Sequence, residues 1–247
     1  MSSSSSSPSY PSYAEPVLLA LTVVTGLVDA VSYLALGRVF TANMTGNVVL
    51  LGFAAAGAQE LSVSRSGTAL AAFLLGAVVG GRMAGRTSVG VWHRWTSLAF
   101  GAEAGLFLTA MAVAIGEPIG FANDPTRLYT IIVLTGLAMG MRNATVRSLA
   151  VPDHTTTVLT LTLARLAADS HLARGDNQRW ASRGSSVVTM FAGAAVGTWL
   201  LTHSIMLPLA VSGIVSGVCA LVVFLQVRRG ERREPSRKET ASDAALD

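Results

Sequence analysis

The sequence predicts an all-α membrane protein, a polytopic bundle of about six transmembrane helices with two short re-entrant or broken helices among them. Three observations lead there. Hydrophobic residues make up 51% of the 247 positions and charged residues only 13%, about half the charged share of an ordinary soluble domain. Apolar runs recur at about 17–36, 68–86, 97–115, 127–149, 184–202 and 205–227, each near the ~20 residues that one helix needs to cross a hydrocarbon core of roughly 30 Å. Two further apolar stretches, about 44–58 and 155–170, are shorter and open on polar or helix-breaking residues: Thr41, Asn43, Thr45 and Gly46 before the first, Pro152, Asp153 and His154 before the second.

The ends differ from this pattern. Residues 1–16 begin with a serine run and carry no Lys or Arg, so they lack the positive n-region of a signal peptide and are expected to form a disordered tail. Residues 228–247 are charge-dense without apolar periodicity and are expected to be a solvated, charged C-terminal tail. The transmembrane domain is thereby bounded at 17–227.

Arginine placement orients the spans, because short cytoplasmic loops carry the excess of Lys and Arg. If both short segments enter and return on one side, the N-terminus, the loop with Arg82, Arg86 and Arg94, the loop with Arg174, Arg179 and Arg183, and the tail from Arg228 all face the cytoplasm. If both crossed, Arg82, Arg86 and Arg94 would lie outside. Six spans with both termini cytoplasmic is therefore the expected topology.

The halves, about 17–116 and 127–227, resemble each other. Val23, Thr25, Gly26 and Leu27 match Val133, Thr135, Gly136 and Leu137, and Thr45 and Val48 match Thr155 and Val158, all at a spacing of 110. Gly76 and Gly80 match Gly193 and Gly197 at a spacing of 117. Three spans per half would make the second half enter from the opposite side, an inverted 3+3 repeat of the kind found in secondary transporters, where broken helices contact the solute.

Candidate binding residues cluster at the breaks and inside the spans. Asn43, Thr45 and Asn47 offer side-chain oxygens where a short helix begins, which suits either a polar cradle or ordinary N-capping. Asp153, His154 and Thr155 stand at the corresponding break of the second half, where a histidine is able to respond to pH. Asp29, Glu103, Arg142 and the adjacent Asn143 lie within spans, and ionisable groups there are costly and point to function by default. Depth along the predicted helices brings Glu103 and Arg142 to the same level, making them an ion-pair candidate, and leaves Asp29 for a cation, a proton or a polar neighbour. Glycines four apart at Gly76, Gly101, Gly136, Gly193 and Gly213 predict close helix packing, within one bundle or between copies in a homo-oligomer.

Other classes receive little support. The single cysteine, Cys219, rules out an intrachain disulfide or a thiolate cluster. The net charge of +4 comes from loop and tail arginines, which read as topology signals rather than a nucleic-acid surface. There is no phosphate loop, paired-histidine helix or nucleophile elbow, so neither cofactor, metal nor enzymatic activity is expected.

Val24-Thr25-Gly26-Leu27-Val28-Asp29-Ala30, then Asn43-Met44-Thr45-Gly46-Asn47, and later Thr135-Gly136-Leu137-Ala138-Met139-Gly140 with Arg142-Asn143 resemble the YoaK-like family of bacterial integral membrane proteins, over roughly 17–227. The resemblance implies a multi-pass protein of the bacterial inner membrane and no mechanism. The expected function is secondary transport of a small solute or ion across the lipid bilayer; the alternative is a non-transporting scaffold that binds a partner.

Overall fold

The structure is a computed structural model and describes residues 11–84, 94–116, 124–149, 159–169 and 180–243, with side chains as far as Arg229. Asp153, His154 and Thr155 lie outside the described residues. Those residues form eight helices and no strands: α1 (Ala14–Leu34), α2 (Met44–Ala55), α3 (Val63–Ala84), α4 (Arg94–Val113), α5 (Pro125–Ser148), α6 (Leu159–Ala168), α7 (Trp180–Leu201) and α8 (Met206–Asp243).

Five of them, α1, α3, α4, α7 and the first 24 residues of α8, are long and apolar enough to cross a membrane. α5 has the length, at 24 residues, and falls behind in apolarity because it carries Arg127 in its first turn and Arg142, Asn143 and Arg147 in its last third. At 12 residues, α2 spans only about 18 Å at ~1.5 Å per residue, too little for a core of roughly 30 Å; the described part of α6 is 10 residues. The chain is a polytopic helical membrane protein. Its large outward-facing side chains, among them Leu75, Leu98, Phe191, Trp199 and Val188, are what a lipid-facing surface requires.

Local signals set the helix ends. Asp124 caps α5 by accepting from the N–H groups of Thr126 (3.0 Å) and Arg127 (3.2 Å), with Pro125 following in the first turn. Asn43 caps α2 by accepting from Gly46 N–H at 3.3 Å. Between α1 and α2 the chain turns through Gly37 and Arg38, both with positive φ, and doubles back. As a result Ala42 and Asn43 face Asp29, which lies five residues before the end of α1. Two ends differ from expectation: α1 already begins at Ala14, and the helical backbone of α8 continues past Arg228 to Asp243.

Packing pairs helices that are distant in sequence: α3 with α5, α1 with α7, and α4 with α8. Lipid tails are as apolar as the side chains, so association inside a bilayer depends on close backbone approach rather than hydrophobic burial. Glycines allow it at both of the first two interfaces. A Cβ on Gly140 would collide with the Phe73 carbonyl, one on Gly76 with the Leu137 carbonyl, one on Gly193 with the Val23 carbonyl and one on Gly26 with the Met190 carbonyl. The small-residue spacing at Gly101 and Gly105 behaves otherwise: Gly105 has open space before it, because it lies on the outward face of α4.

These contacts make a differential prediction. Gly140→Ala should lower the thermal unfolding temperature of the detergent-solubilised protein by the equivalent of about 1–3 kcal/mol, the usual cost of overpacking. Gly105→Ala should leave it unchanged. Equal behaviour of the two variants in a melting experiment would show that the α3–α5 approach is not close.

Candidate functional site

Among the buried polar residues of the spans, two groups have opposite character. The first is a clamp around Arg142 in α5. Its Nε donates to Glu103 Oε2 at 2.9 Å and its Nη2 to Glu103 Oε1, completing a two-pronged ion pair with α4. Nη1 donates to the Leu21 carbonyl at 2.8 Å and to Thr25 Oγ1 at 3.1 Å, both in α1. Nη2 also reaches Ser216 Oγ in α8 at 3.4 Å, and Ser216 donates to Glu103 Oε1 at 2.6 Å. Phe107 lies 6.0 Å from the guanidinium carbon. A guanidinium has five N–H donors, and here all five are engaged.

Glu103 and Arg142 thus pair as their depths predict, and both are fully buried. No donor of Arg142 is left for a solute. The chemistry of the clamp is structural: it ties α1, α4, α5 and α8 together through one charge-neutral network.

The second group lines a cavity of about 220 Å³ bounded by Thr25 and Asp29 of α1, Ala42 to Thr45 at the start of α2, Phe73 of α3, Thr160 and Leu163 of α6, and Met190 of α7. Asp29 is 8% exposed, and its Oδ1 is buried with no hydrogen-bond partner. Among the described residues no ion pair involves it. Burying a carboxylate without a positive partner is costly, so the cavity at Asp29 is an arrangement that a bound group would improve.

The other sequence candidates divide accordingly. Asn43 and Thr45 line the cavity, Asn43 also serving as the α2 cap. Asn47 does not. It donates from Nδ2 to the Ser66 carbonyl at 3.0 Å and accepts from Phe40 N–H at 3.3 Å, clipping α2 to α3. Two residues along a helix turn the side chain through about 200°, so Asn47 and Thr45 face opposite ways. Asn143 donates to the Met139 carbonyl one turn earlier at 2.9 Å and does not line the cavity. Among the described residues no group of three or more His, Cys, Asp or Glu side chains is placed to hold a metal.

Sequence reasoning missed Phe73, Leu163 and Met190, since apolar residues in apolar helices carry no signal. Thr160, a hydroxyl in an apolar helix, was the detectable one.

Comparison with known proteins decides the family. A family described as "Protein of unknown function (DUF1275)" matches residues 17–225. The chain belongs to this family. It is 34% identical over 157 residues to the UPF0700 transmembrane protein YoaK of Bacillus subtilis (strain 168), which covers 64% of this chain and 67% of that protein. No solved structure matches the chain. The matched region contains both the clamp and the cavity.

The two groups should respond oppositely to substitution. Arg142→Ala strands a buried Glu103 and should cost about 3–5 kcal/mol, seen as loss of a monodisperse peak after detergent extraction, with partial recovery when Glu103→Gln is added. Asp29→Asn removes an uncompensated charge and should leave the melting temperature equal or higher. A strongly destabilised Asp29→Asn protein would place Asp29 among the structural residues instead.

Proposed function

We propose that the chain is a secondary transporter that carries a small solute or ion through the cavity at Asp29. The observation that carries the reading is the buried, unpartnered Asp29 oxygen facing a cavity at the start of α2, a helix too short to cross the membrane, and beside the described part of α6. Backbone this irregular at membrane depth is tolerated where it lines a cavity or is enclosed in protein, and broken helices at such a place are a transporter plan.

Support for an inverted repeat comes from the packing. Exchanging α1 with α5, α2 with α6, α3 with α7 and α4 with α8 turns the α1–α7 pairing into α5–α3, the α2–α3 pairing into α6–α7, and α4–α5 into α8–α1, all of which are present. The glycine contacts give the register: Gly26 meets Met190 and Ala194 as Gly140 meets Phe73 and Ala77, and Gly193 meets Val23 as Gly76 meets Leu137. The related positions are 114 apart in α1 and α5 and 117 apart in α3 and α7. Sequence identity suggests 110 for the first pair, one helical turn away. In the packing register Phe73 corresponds to Met190, and both line the cavity, which supports a site on the axis between the halves.

The arginine-rich loops support cytoplasmic termini and an inner-membrane location. The reading assigns no catalysis to the chain, and the fully engaged Arg142 favours a structural role for the Glu103–Arg142 pair.

Access to the cavity is the test. With Cys219, which is buried, replaced by Ser, a single cysteine at Thr45 should react with a membrane-impermeant thiol reagent in both right-side-out and inside-out vesicles, because a transporter exposes its site to each side in turn. Reaction from one side only, under all ionic conditions, would remove transport and leave a scaffold.

A further inference from the structure

We propose that the cavity takes a small monovalent organic cation, with its ammonium group against the Asp29 carboxylate and its apolar body against Phe73, Leu163 and Met190. This rests on the cavity being the solute site and names the class of solute.

Charge is the first argument. Asp29 has a buried oxygen without a partner, and Arg142 spends all its donors on Glu103, Leu21, Thr25 and Ser216. A positive partner for the ionised carboxylate would therefore be supplied by a group bound in the cavity. An anion would meet Asp29 at close range. The start of α2 gives it no compensation: Asn43 Oδ1 occupies the Gly46 N–H, and the N–H groups of Ala42 and Asn43 face Asp29 itself.

Size and lining separate an organic from an inorganic cation. A volume of about 220 Å³ equals roughly seven waters at ~30 Å³ each, so a bare metal ion would leave most of it empty or wet. Hard cations also want about six oxygen ligands. Besides Asp29, the described side chains at the cavity offer oxygens only from Thr25, Asn43, Thr45 and Thr160, and Thr25 is occupied by Arg142 and the Leu21 carbonyl. Facing them are a phenyl ring, two thioethers and a leucine. An aromatic face attracts an ammonium, thioethers adapt to irregular apolar shapes, and a few polar groups on a largely apolar wall are the usual make-up of an organic-ligand site.

The test is thermal unfolding of the purified full-length protein in detergent, followed by tryptophan fluorescence, with n-butylammonium or tetramethylammonium chloride against equal sodium chloride, n-butanol and sodium butyrate. Both ammonium salts should raise Tm saturably. Asp29→Asn should abolish the rise, and Phe73→Leu should shift its midpoint several-fold to higher concentration. No rise from either ammonium salt, an equal rise in Asp29→Asn, or a rise from butanol or butyrate alone would overturn the proposal. If no ammonium ion binds while a cysteine at Thr45 is reached from both faces, the cation is wrong and transport stands. Binding of ammonium ions with access from one face keeps the site and removes transport.

Discussion

Everything in this bundle depends on how the Arg142 guanidinium is satisfied. A charge in a bilayer interior must be neutralised and hydrogen-bonded, or its burial opposes insertion and folding. Arg142 meets the demand with one carboxylate, two hydroxyls and one backbone carbonyl drawn from α1, α4 and α8. Geometry follows from chemistry here: the guanidinium fork is planar, so fixing its five donors fixes the rotation and depth of three helices relative to α5. The apolar contacts around it, from Phe100 and Phe107 to Val146, then fill space that the clamp has already defined.

Thr25 joins the clamp to the cavity. Its hydroxyl donates to the Leu21 carbonyl at 3.0 Å, accepts from Arg142, and stands on the cavity wall one turn from Asp29. One face of α1 is therefore held by a satisfied network while the adjacent turn presents a carboxylate with one oxygen unpaired. The α1–α7 and α3–α5 interfaces, where glycine brings backbones together, give two stiff pairs. By contrast α2 buries only Asn47, whose Nδ2 donates to the Ser66 carbonyl of α3. A helix with so few buried contacts is the kind of element that opens locally at small cost, and here it carries Asn43 and Thr45 at the cavity mouth.

Much of the fold was legible because the bilayer sets lengths. Apolar runs of about 20 residues had to be spans, and the polar break at Asn43 marked a helix that falls short. The Glu103–Arg142 pair was legible from depth alone, since two costly charges at one level find each other. Helix rotation was the part that sequence does not encode directly. The Thr-Gly-Leu match at 110 pairs Gly26 with Gly136, and identity does not reveal which glycine faces a carbonyl most closely: Gly26 and Gly140 do so, while Gly136 meets the Ala72 methyl and the Ala69 carbonyl less closely. Gly101 and Gly105 had the right spacing on the wrong face. Asn47 looked like part of a polar cradle until helical periodicity turned it toward Ser66, and Phe73 and Met190 enter the site only through the tertiary packing of α3 and α7.

Under the proposed repeat, the packing register makes Asn143 the counterpart of Asp29, both being 114 apart like Gly26 and Gly140. The two halves would then present a carboxylate and an amide at related depths. This asymmetry has a physical consequence. A carboxylate on both sides of the axis would place two like charges near one small cavity, and one of them would have to stay protonated. An amide on the second side avoids that repulsion and keeps hydrogen-bonding capacity, part of which is spent within α5 on the Met139 carbonyl. Charge selection would come from α1 alone, and a conformational exchange of the halves would change the surroundings of Asp29 without bringing it a competing anion. The unequal pair is thus what an exchanging site needs if the same carboxylate is to hold its ligand in both orientations.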